Sequence, residues 1–422
     1  METLNVFLLD KLAGYLESDN GKLSFRYAEK YLEDKNAIPL SFSMPLQKES
    51  FDNQLTATFF DNLLPPDTVR KKLGKILHLS RRNIFGFLKA IGGDCAGAIS
   101  LYPSEIENNA DFQEQPHLRE LSNEEAVEIL TGLHRRPLNI GKENGFRISG
   151  TGAQDKLIAC VSDGKIFLPL FGEPSTHIIK VPIKDYPHSV FNELFCMKLA
   201  EKMKFPTPDC DIFYLNNIPY YCVKRYDRKI ANGKNVRLHQ EDFCQLFSVD
   251  PEKKYENEGG PTVSVCFNLL KKVHIDIAGQ IDFLRRIIFN FLIGNGDAHA
   301  KNFSVLYKGK TAYLAPVYDL LCTEVYDNLS HESAMSIGHE FNFAEISRQN
   351  FSNMAVECDI RAEIVMNQIE DLIRKIVPAA TELANELNIK YPCPIYNDII
   401  QIIKHNAMQL TVKKQGCVLN AD

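Results

Sequence analysis

In the stretch NFLIGNGDAHAKNFSVLY (residues 290 to 307), Asp297 and Asn302 stand five positions apart, directly behind an apolar run. A polar cluster beside a buried segment is costly unless it has partners. Phosphoryl transfer would explain the spacing: a carboxylate must reach the incoming hydroxyl while the amide oxygen turns back to a metal on the phosphates, as in the D-x-x-x-x-N of a kinase catalytic loop. An ordinary polar loop after a helix accounts for the same pair. Downstream, TAYLAPVYDLLCT reads as a strand ending in Asp319, where such a site places its second metal-binding carboxylate, although the tripeptide here is Asp319-Leu320-Leu321. A strand-end turn is the plainer reading of Asp319.

Upstream, HIIKVP sets Lys180 in a β-branched apolar run, where a lysine faces either solvent or phosphate. Thirteen residues later Glu193 falls on a helix, placed to pair with the Lys180 ammonium or to face water. Before both lies FRISGTGAQDKLIACV, whose Gly150 and Gly152 would let the backbone approach phosphate oxygens. Position 155 is Asp rather than a third glycine, and Lys156 lacks the G-x-x-x-x-G frame of a Walker A loop. Each signal is weak alone, but the order glycine loop, strand lysine, helix glutamate, D-x-x-x-x-N and final aspartate points to phosphoryl transfer. A zinc hydrolase built on Asp297 and His299 would need more ligands, and His239 is the one tempting candidate.

These groups need elements to hold them. LNVFLLD, KLAGYLE and KLSFRYAE read as strands around an ESDNGK turn, and TATFFDNLLPPDTVRKKLGKIL as a helix interrupted at Pro65-Pro66. PSEIENNADFQEQP (103 to 116) reads as a linker, followed by a short helix near 122 to 134. Strand-like runs then recur at KLIACVS, KIFLPLF, THIIKVP and DIFYLNNIPYYCVKRY, interrupted by one amphipathic helix at about 189 to 203. From residue 240 onward the pattern is mostly helical. The expected units are 1–103, a linker and helix over 104–144, a strand-rich lobe at 145–239 and a helical lobe at 240–422: an α+β body with two lobes.

At 422 residues the chain exceeds a single core, and its net charge of −6 argues against a surface built as a whole for nucleic acid. A local patch such as RKKLGKILHLSRRN (70 to 83) remains open to DNA. The eleven cysteines are scattered, without C-x-x-C, and fit a reducing cytoplasm rather than a disulfide framework or zinc ribbon. No run reaches the ~18 apolar residues of a membrane span, and the acidic start, METLNVFLLDKLAGYL, has no signal-peptide n-region.

The blocks RISGTGAQDK, HIIKVP, NELFCMKLA, VKRYDR, RLHQEDF, GNGDAHAKNFS and VYDL, in this order across roughly 145 to 320, resemble the HipA family, serine/threonine kinase toxins of bacterial toxin–antitoxin pairs. The resemblance implies a two-lobed protein-kinase-like (PI3/4-kinase-like) fold with a small N-terminal α/β subdomain, using ATP and Mg2+. By position it implies that Asp297 is catalytic, that Asn302 and Asp319 hold magnesium, and that Lys180 holds phosphates beside Glu193. The loop Thr151, Gly152, Ala153, Gln154, Asp155 and Lys156 would wrap the nucleotide, His299 and Tyr318 would line its site, and Lys224-Arg225-Tyr226 would form the adenine hinge. Ser149 corresponds to a serine the family autophosphorylates, and Thr151 adds a second hydroxyl nearby. Arg147 is a candidate partner for a phosphate placed on Ser149. The family acts on aminoacyl-tRNA synthetases and pairs with a DNA-binding, HipB-like antitoxin, through which it reaches operator DNA. The rivals are a small-molecule kinase with the same residues, and a non-catalytic co-repressor binding antitoxin and operator DNA.

Overall fold

The structure, a computed structural model, describes residues 1–104 and 117–411. The linker expected at 103 to 116 lies almost wholly outside the described residues. Strands β1 (Glu2–Leu8), β2 (Lys11–Asp19) and β3 (Lys22–Tyr27) form an antiparallel meander joined by β4 (Ile99–Pro103), in the order β3-β2-β1-β4. The β2–β3 turn is Asn20-Gly21, with φ of 50° and 81°, the backbone that a two-residue hairpin requires. Helices Asn53–Asp61 and Asp67–Leu77 are separated at Pro65-Pro66. Proline has no N–H for the helix ladder and biases the residue before it toward extended backbone.

The next sheet is six-stranded and antiparallel: β5 (Leu118–Glu120), β6 (Lys156–Ser162), β7 (Lys165–Pro169), β8 (His177–Lys180), β9 (Cys210–Leu215) and β10 (Ile218–Lys224), ordered β5-β7-β6-β8-β10-β9. Successive side chains on a strand point to opposite faces, and the two faces serve different cores. Tyr220 packs with Leu157, Leu168 and Ile179 against the N-terminal unit, while Tyr221 packs with Ile212 and Phe195 toward the C-lobe. The hydrophobic cores therefore cross the unit boundaries read from the sequence, with the sheet as their common wall.

Helix Ser189–Lys202 is not the amphipathic helix expected there. Eleven of its fourteen residues are buried, because it is covered by the sheet on one side and by helices Ala362–Lys390 and Ile395–Thr411 on the other. A helix apolar or buried all round belongs inside a larger body. The C-lobe packs these helices with Val263–Lys272, Ile277–Leu292 and Arg348–Glu357 around Phe283, Ile288, Phe291, Phe351, Ile369 and Ile403. It also holds short strands, including the three-stranded set Gln240–Asp242, Ser304–Lys308 and Thr311–Leu314. Among the described residues no helix is long and apolar enough to cross a membrane.

A buried ionic cluster joins the N-terminal unit to the six-stranded sheet. Asp94 accepts from Arg228 at 2.8 Å, Arg237 at 2.9 Å, Arg225 at 3.3 Å and Ser175 Oγ at 2.6 Å. Asp227 takes Arg225 at 2.7 Å and the Gly97 N–H at 2.7 Å. Burial opposes the ionisation of Asp94, but Arg228, Arg237 and Arg225 outweigh it and hold its carboxyl well below the usual range. Removing one member of a buried ionic set leaves uncompensated charge, at a cost of about 3 to 5 kcal/mol. Asp94→Asn is therefore expected to lower the unfolding free energy from urea titration by that order and the midpoint with it, and an unchanged midpoint would show that the cluster contributes nothing to the fold.

Candidate active site

The site begins with a conflict in strand register. Lys156 on β6 lies directly opposite Lys180 on β8, and like charges so placed repel. Each ammonium has been given its own partners. Lys180, 8% exposed, lies 2.6 Å from Glu193 Oε1 and 2.5 Å from Asp319 Oδ1. Lys156 donates to the carbonyls of Thr151 at 2.7 Å and Gly152 at 3.0 Å. Burial, with Lys180 adding to it, pushes Lys156 down to about 8. Burial also pushes Glu193 up to about 7 against the pull of Lys180. Asp319 is held down to about 2, because Lys180 outweighs the effect of its burial.

Asp319 does not end a strand. The strand stops at Leu314, and Asp319 follows on an irregular segment with a left-handed φ of 57°. Tyr318 ties this segment to the loop that carries Asp297 and Asn302, since its hydroxyl donates to the Lys301 carbonyl at 2.7 Å. Asp319 and Asn302 are therefore the sequence neighbours of two residues joined by one hydrogen bond.

The loop after helix Ile277–Leu292 is fixed mostly by itself. Asn295 Oδ1 accepts the Asp297 N–H at 3.1 Å, and Thr323 Oγ1 accepts the Gly296 N–H at 2.7 Å. Asn302 Nδ2 donates to the Asp297 carbonyl at 2.8 Å. That bond is the physical content of the five-residue spacing: it binds the two residues together through the amide nitrogen and leaves Oδ1, the acceptor of the same group, uninvolved in it. Asp297 is 46% exposed, and its Oδ1 accepts the Tyr255 hydroxyl at 2.5 Å. His299 is buried, which pushes it down to about 4 and keeps it neutral. Its Nε2 lies 2.8 Å from Lys254 Nζ. Lys301 points elsewhere, to Asp242 at 2.6 Å and Asn62 Oδ1 at 2.7 Å.

The glycine loop is drawn inward. Ser149 is 2% exposed, its N–H donates to the Asp94 carbonyl at 3.0 Å, and its Oγ donates to the Leu63 carbonyl at 2.5 Å. Gly152 has a φ of 88°, a conformation that favours glycine. Gln154 donates to the Val181 carbonyl at 2.9 Å, and Asp155 accepts the Val181 N–H; Thr151, Ala153 and Lys156 complete the turn. Arg147 does not face this loop as a phosphate partner would. Its Nη2 is taken by the carbonyls of Lys89 at 2.7 Å and Leu101 at 3.0 Å, and its guanidinium lies over Tyr102.

In the expected hinge Lys224-Arg225-Tyr226, which would meet a base through its backbone, the Tyr226 ring packs on Tyr318 with centroids 5.4 Å apart. Lys224 is exposed and Arg225 belongs to the Asp94 cluster. His239 is buried and stacked on Tyr307, and among the described residues no three His, Cys, Asp or Glu side chains gather as a metal site. The residues missed by sequence reasoning are Lys254 and Tyr255, more than forty positions before Asp297. The neighbouring Gly259-Gly260, after the charged ENE, was the signal of an unusual backbone there.

The HipA N-terminal domain family matches residues 4–102, and the HipA-like C-terminal domain family matches residues 148–380. A relative named as a kinase, Y4mE of Sinorhizobium fredii, is 37% identical over 93% of this chain and 94% of its own. The serine/threonine-protein kinase toxin HipA of Shewanella oneidensis is 29% identical over 97% of this chain and 95% of its own. The solved structure of Shewanella oneidensis HipA with HipB and operator DNA superposes with a TM-score of 0.82 at 26% identity, covering 96% of this chain and 95% of that one. With both family domains in order, a relative above 30% identity along nearly its whole length, and the fold of HipA, this chain belongs to the HipA family of kinases.

Proposed function

We propose that the chain is an ATP- and magnesium-dependent serine/threonine-protein kinase and the toxin of a toxin–antitoxin pair. The observation that carries the reading is Lys180, held between Glu193 and Asp319, next to a loop whose Asn302 is bonded to Asp297. Glu193 and Asp319 hold the ammonium and leave its third hydrogen for a phosphate oxygen. The glycine loop closes over the phosphates, and the Tyr226–Tyr318 pair offers an aromatic surface to a base. Asp297 is open enough for a serine or threonine hydroxyl to reach it, orients that hydroxyl and accepts its proton.

The oxygens of Asn302 and Asp319 suit magnesium, which takes one or two protein oxygens along with phosphates and water. Bound there, the ion would neutralise charge on the phosphates. By the family resemblance the acceptor is an aminoacyl-tRNA synthetase. Shewanella HipA was solved with HipB and operator DNA, which supports a HipB-like antitoxin as this chain's partner and operator DNA as a contact made through it. Ser149 is the proposed autophosphorylation site, with Thr151 as the alternative. A phosphate adds about −1.5 to −2 charges at a hydroxyl that is buried on Leu63, so the modified loop must leave its place and nucleotide binding is lost with it.

Three outcomes test this reading. Asp297→Asn is expected to reduce phosphate transfer by ~10² to 10⁴ with nucleotide affinity within a few-fold, and wild-type turnover would refute the assignment. Asp319→Ala is expected to weaken nucleotide binding in magnesium but much less without it; equal affinities in magnesium by calorimetry would count against a metal role. Incubation with magnesium-ATP is expected to yield a singly phosphorylated protein that no longer binds ATP, and Ser149→Ala to block this. Peptide mapping that finds phosphate only on Thr151, or on Ser149 with ATP binding intact, would defeat the switch.

A further inference from the structure

Residues 250–260 form a strap across the catalytic loop. Its near end is held where Asn62 Nδ2 donates to the Val249 carbonyl at 2.9 Å and Asp250 Oδ1 accepts the Glu252 N–H at 2.9 Å. At its far end the Glu256 carboxylate clasps Ser336 through its N–H at 2.7 Å and its hydroxyl at 2.8 Å. The Gly260 N–H returns to the Tyr255 carbonyl at 2.8 Å. A Cβ at Gly260 would sit 2.5 Å from the Lys253 carbonyl and 2.6 Å from that of Tyr255, so the turn closes only on glycine.

Between these anchors two adjacent side chains reach the reacting end of the site. Tyr255 donates to Asp297 Oδ1 at 2.5 Å, and the edge of its ring meets His299, centroids 5.1 Å apart at 81°. Lys254 Nζ lies 2.8 Å from His299 Nε2. An ammonium has hydrogens to donate and no lone pair to offer, so Nε2 must accept and the ring proton sits on Nδ1. That Nδ1–H is buried, and among the described residues it has no partner. Native structures seldom leave a buried donor unpaired, and Asp297 Oδ1 stands 3.8 Å from the other ring nitrogen. The ring thus turns Nε2, not Nδ1, toward Asp297 and packs behind the contact that Tyr255 makes with that carboxylate.

We infer that Lys254 and Tyr255 are positioning residues for phosphoryl transfer, a deepening that rests on the kinase reading. Tyr255 holds one oxygen of Asp297 and leaves the other for the acceptor hydroxyl. Lys254 holds the His299 ring in the tautomer that accepts at Nε2, and so keeps it packed behind Tyr255 and 3.8 Å from Asp297. In that transfer the bond from the γ-phosphorus to the ADP oxygen breaks, the bond to the acceptor oxygen forms, and the acceptor's proton passes to Asp297. Lys301, the lysine of the loop itself, cannot substitute, since its ammonium is committed to Asp242 and Asn62.

The test is a single-turnover measurement of γ-labelled magnesium-ATP with the full chain. All label leaving ATP is counted, whether on the chain, on added casein or as free phosphate, so that the natural acceptor need not be known. Lys254→Met and Tyr255→Phe are each expected to slow cleavage by about 10- to 100-fold, as misplacement of a reacting group does. The ATP dissociation constant should stay within about threefold, a pure rate effect. Lys254→Arg, which still donates to Nε2, should restore most of the rate, and side-chain ¹⁵N spectra should show the Nδ1–H tautomer of His299 in the wild type and Lys254→Arg but not in Lys254→Met. Wild-type cleavage by Lys254→Met and Tyr255→Phe, a loss explained wholly by ATP affinity, or an arginine variant as slow as the methionine one would each overturn the inference. Asp297→Asn run in parallel separates the two levels: if it cleaves at the wild-type rate the kinase reading itself fails, whereas an inactive Asp297→Asn beside fully active strap variants removes only the role of the strap.

Discussion

One buried ammonium organises this molecule. Lys180 comes from a strand, Glu193 from a helix and Asp319 from an irregular segment of the C-lobe, and all three meet within hydrogen-bonding distance. A lone charge at that depth would be prohibitively unfavourable, so the strand, the helix and the lobe below cannot be arranged independently. Lys156 stands opposite Lys180 on the neighbouring strand, so two ammoniums and two carboxylates share this buried corner, and none of the elements that carry them can shift without uncovering a charge.

The six-stranded sheet performs a related service on a larger scale. Its opposite faces belong to different hydrophobic cores, so the N-terminal unit is part of the lobe's support. The Asp94 cluster strengthens the same joint: three arginines from β10, β11 (Arg228–Ala231) and β12 (Lys234–Arg237), or their immediate flanks, converge on an aspartate of the N-terminal unit. The Arg225 side chain is thus committed to a partner more than a hundred residues earlier in the chain.

Much of this was legible in the sequence wherever the information is local. The Asn20-Gly21 turn, the break at Pro65-Pro66 and the Asp297–Asn302 spacing each depend on a few consecutive residues, and each carries its physical reason with it. What was not legible depends on tertiary neighbours. The helix carrying Glu193 looked amphipathic because sequence does not show that two C-lobe helices cover its polar side. Arg147 looked available because nothing nearby reveals the carbonyls of Lys89 and Leu101. Ser149 was legible only as a hydroxyl beside two glycines, because its acceptor, the Leu63 carbonyl, lies 86 residues away in the chain. Tyr255 was missed because its partner, Asp297, lies far downstream and the strap that carries it has no periodic pattern to announce it.

The dipeptide Asn62-Leu63 gives this architecture a further property. The carbonyl of Leu63 receives Ser149 of the glycine loop, while Asn62 receives Lys301 of the catalytic loop and donates to the carbonyl of Val249 at the head of the strap. Three segments from different parts of the chain are thus gauged from a single external reference mark, much as parts on a jig are set from one pin. Their mutual alignment is then insensitive to small errors in the long path of chain that connects them, and it is sensitive to a shift of about one bond length at two consecutive residues in the N-terminal unit.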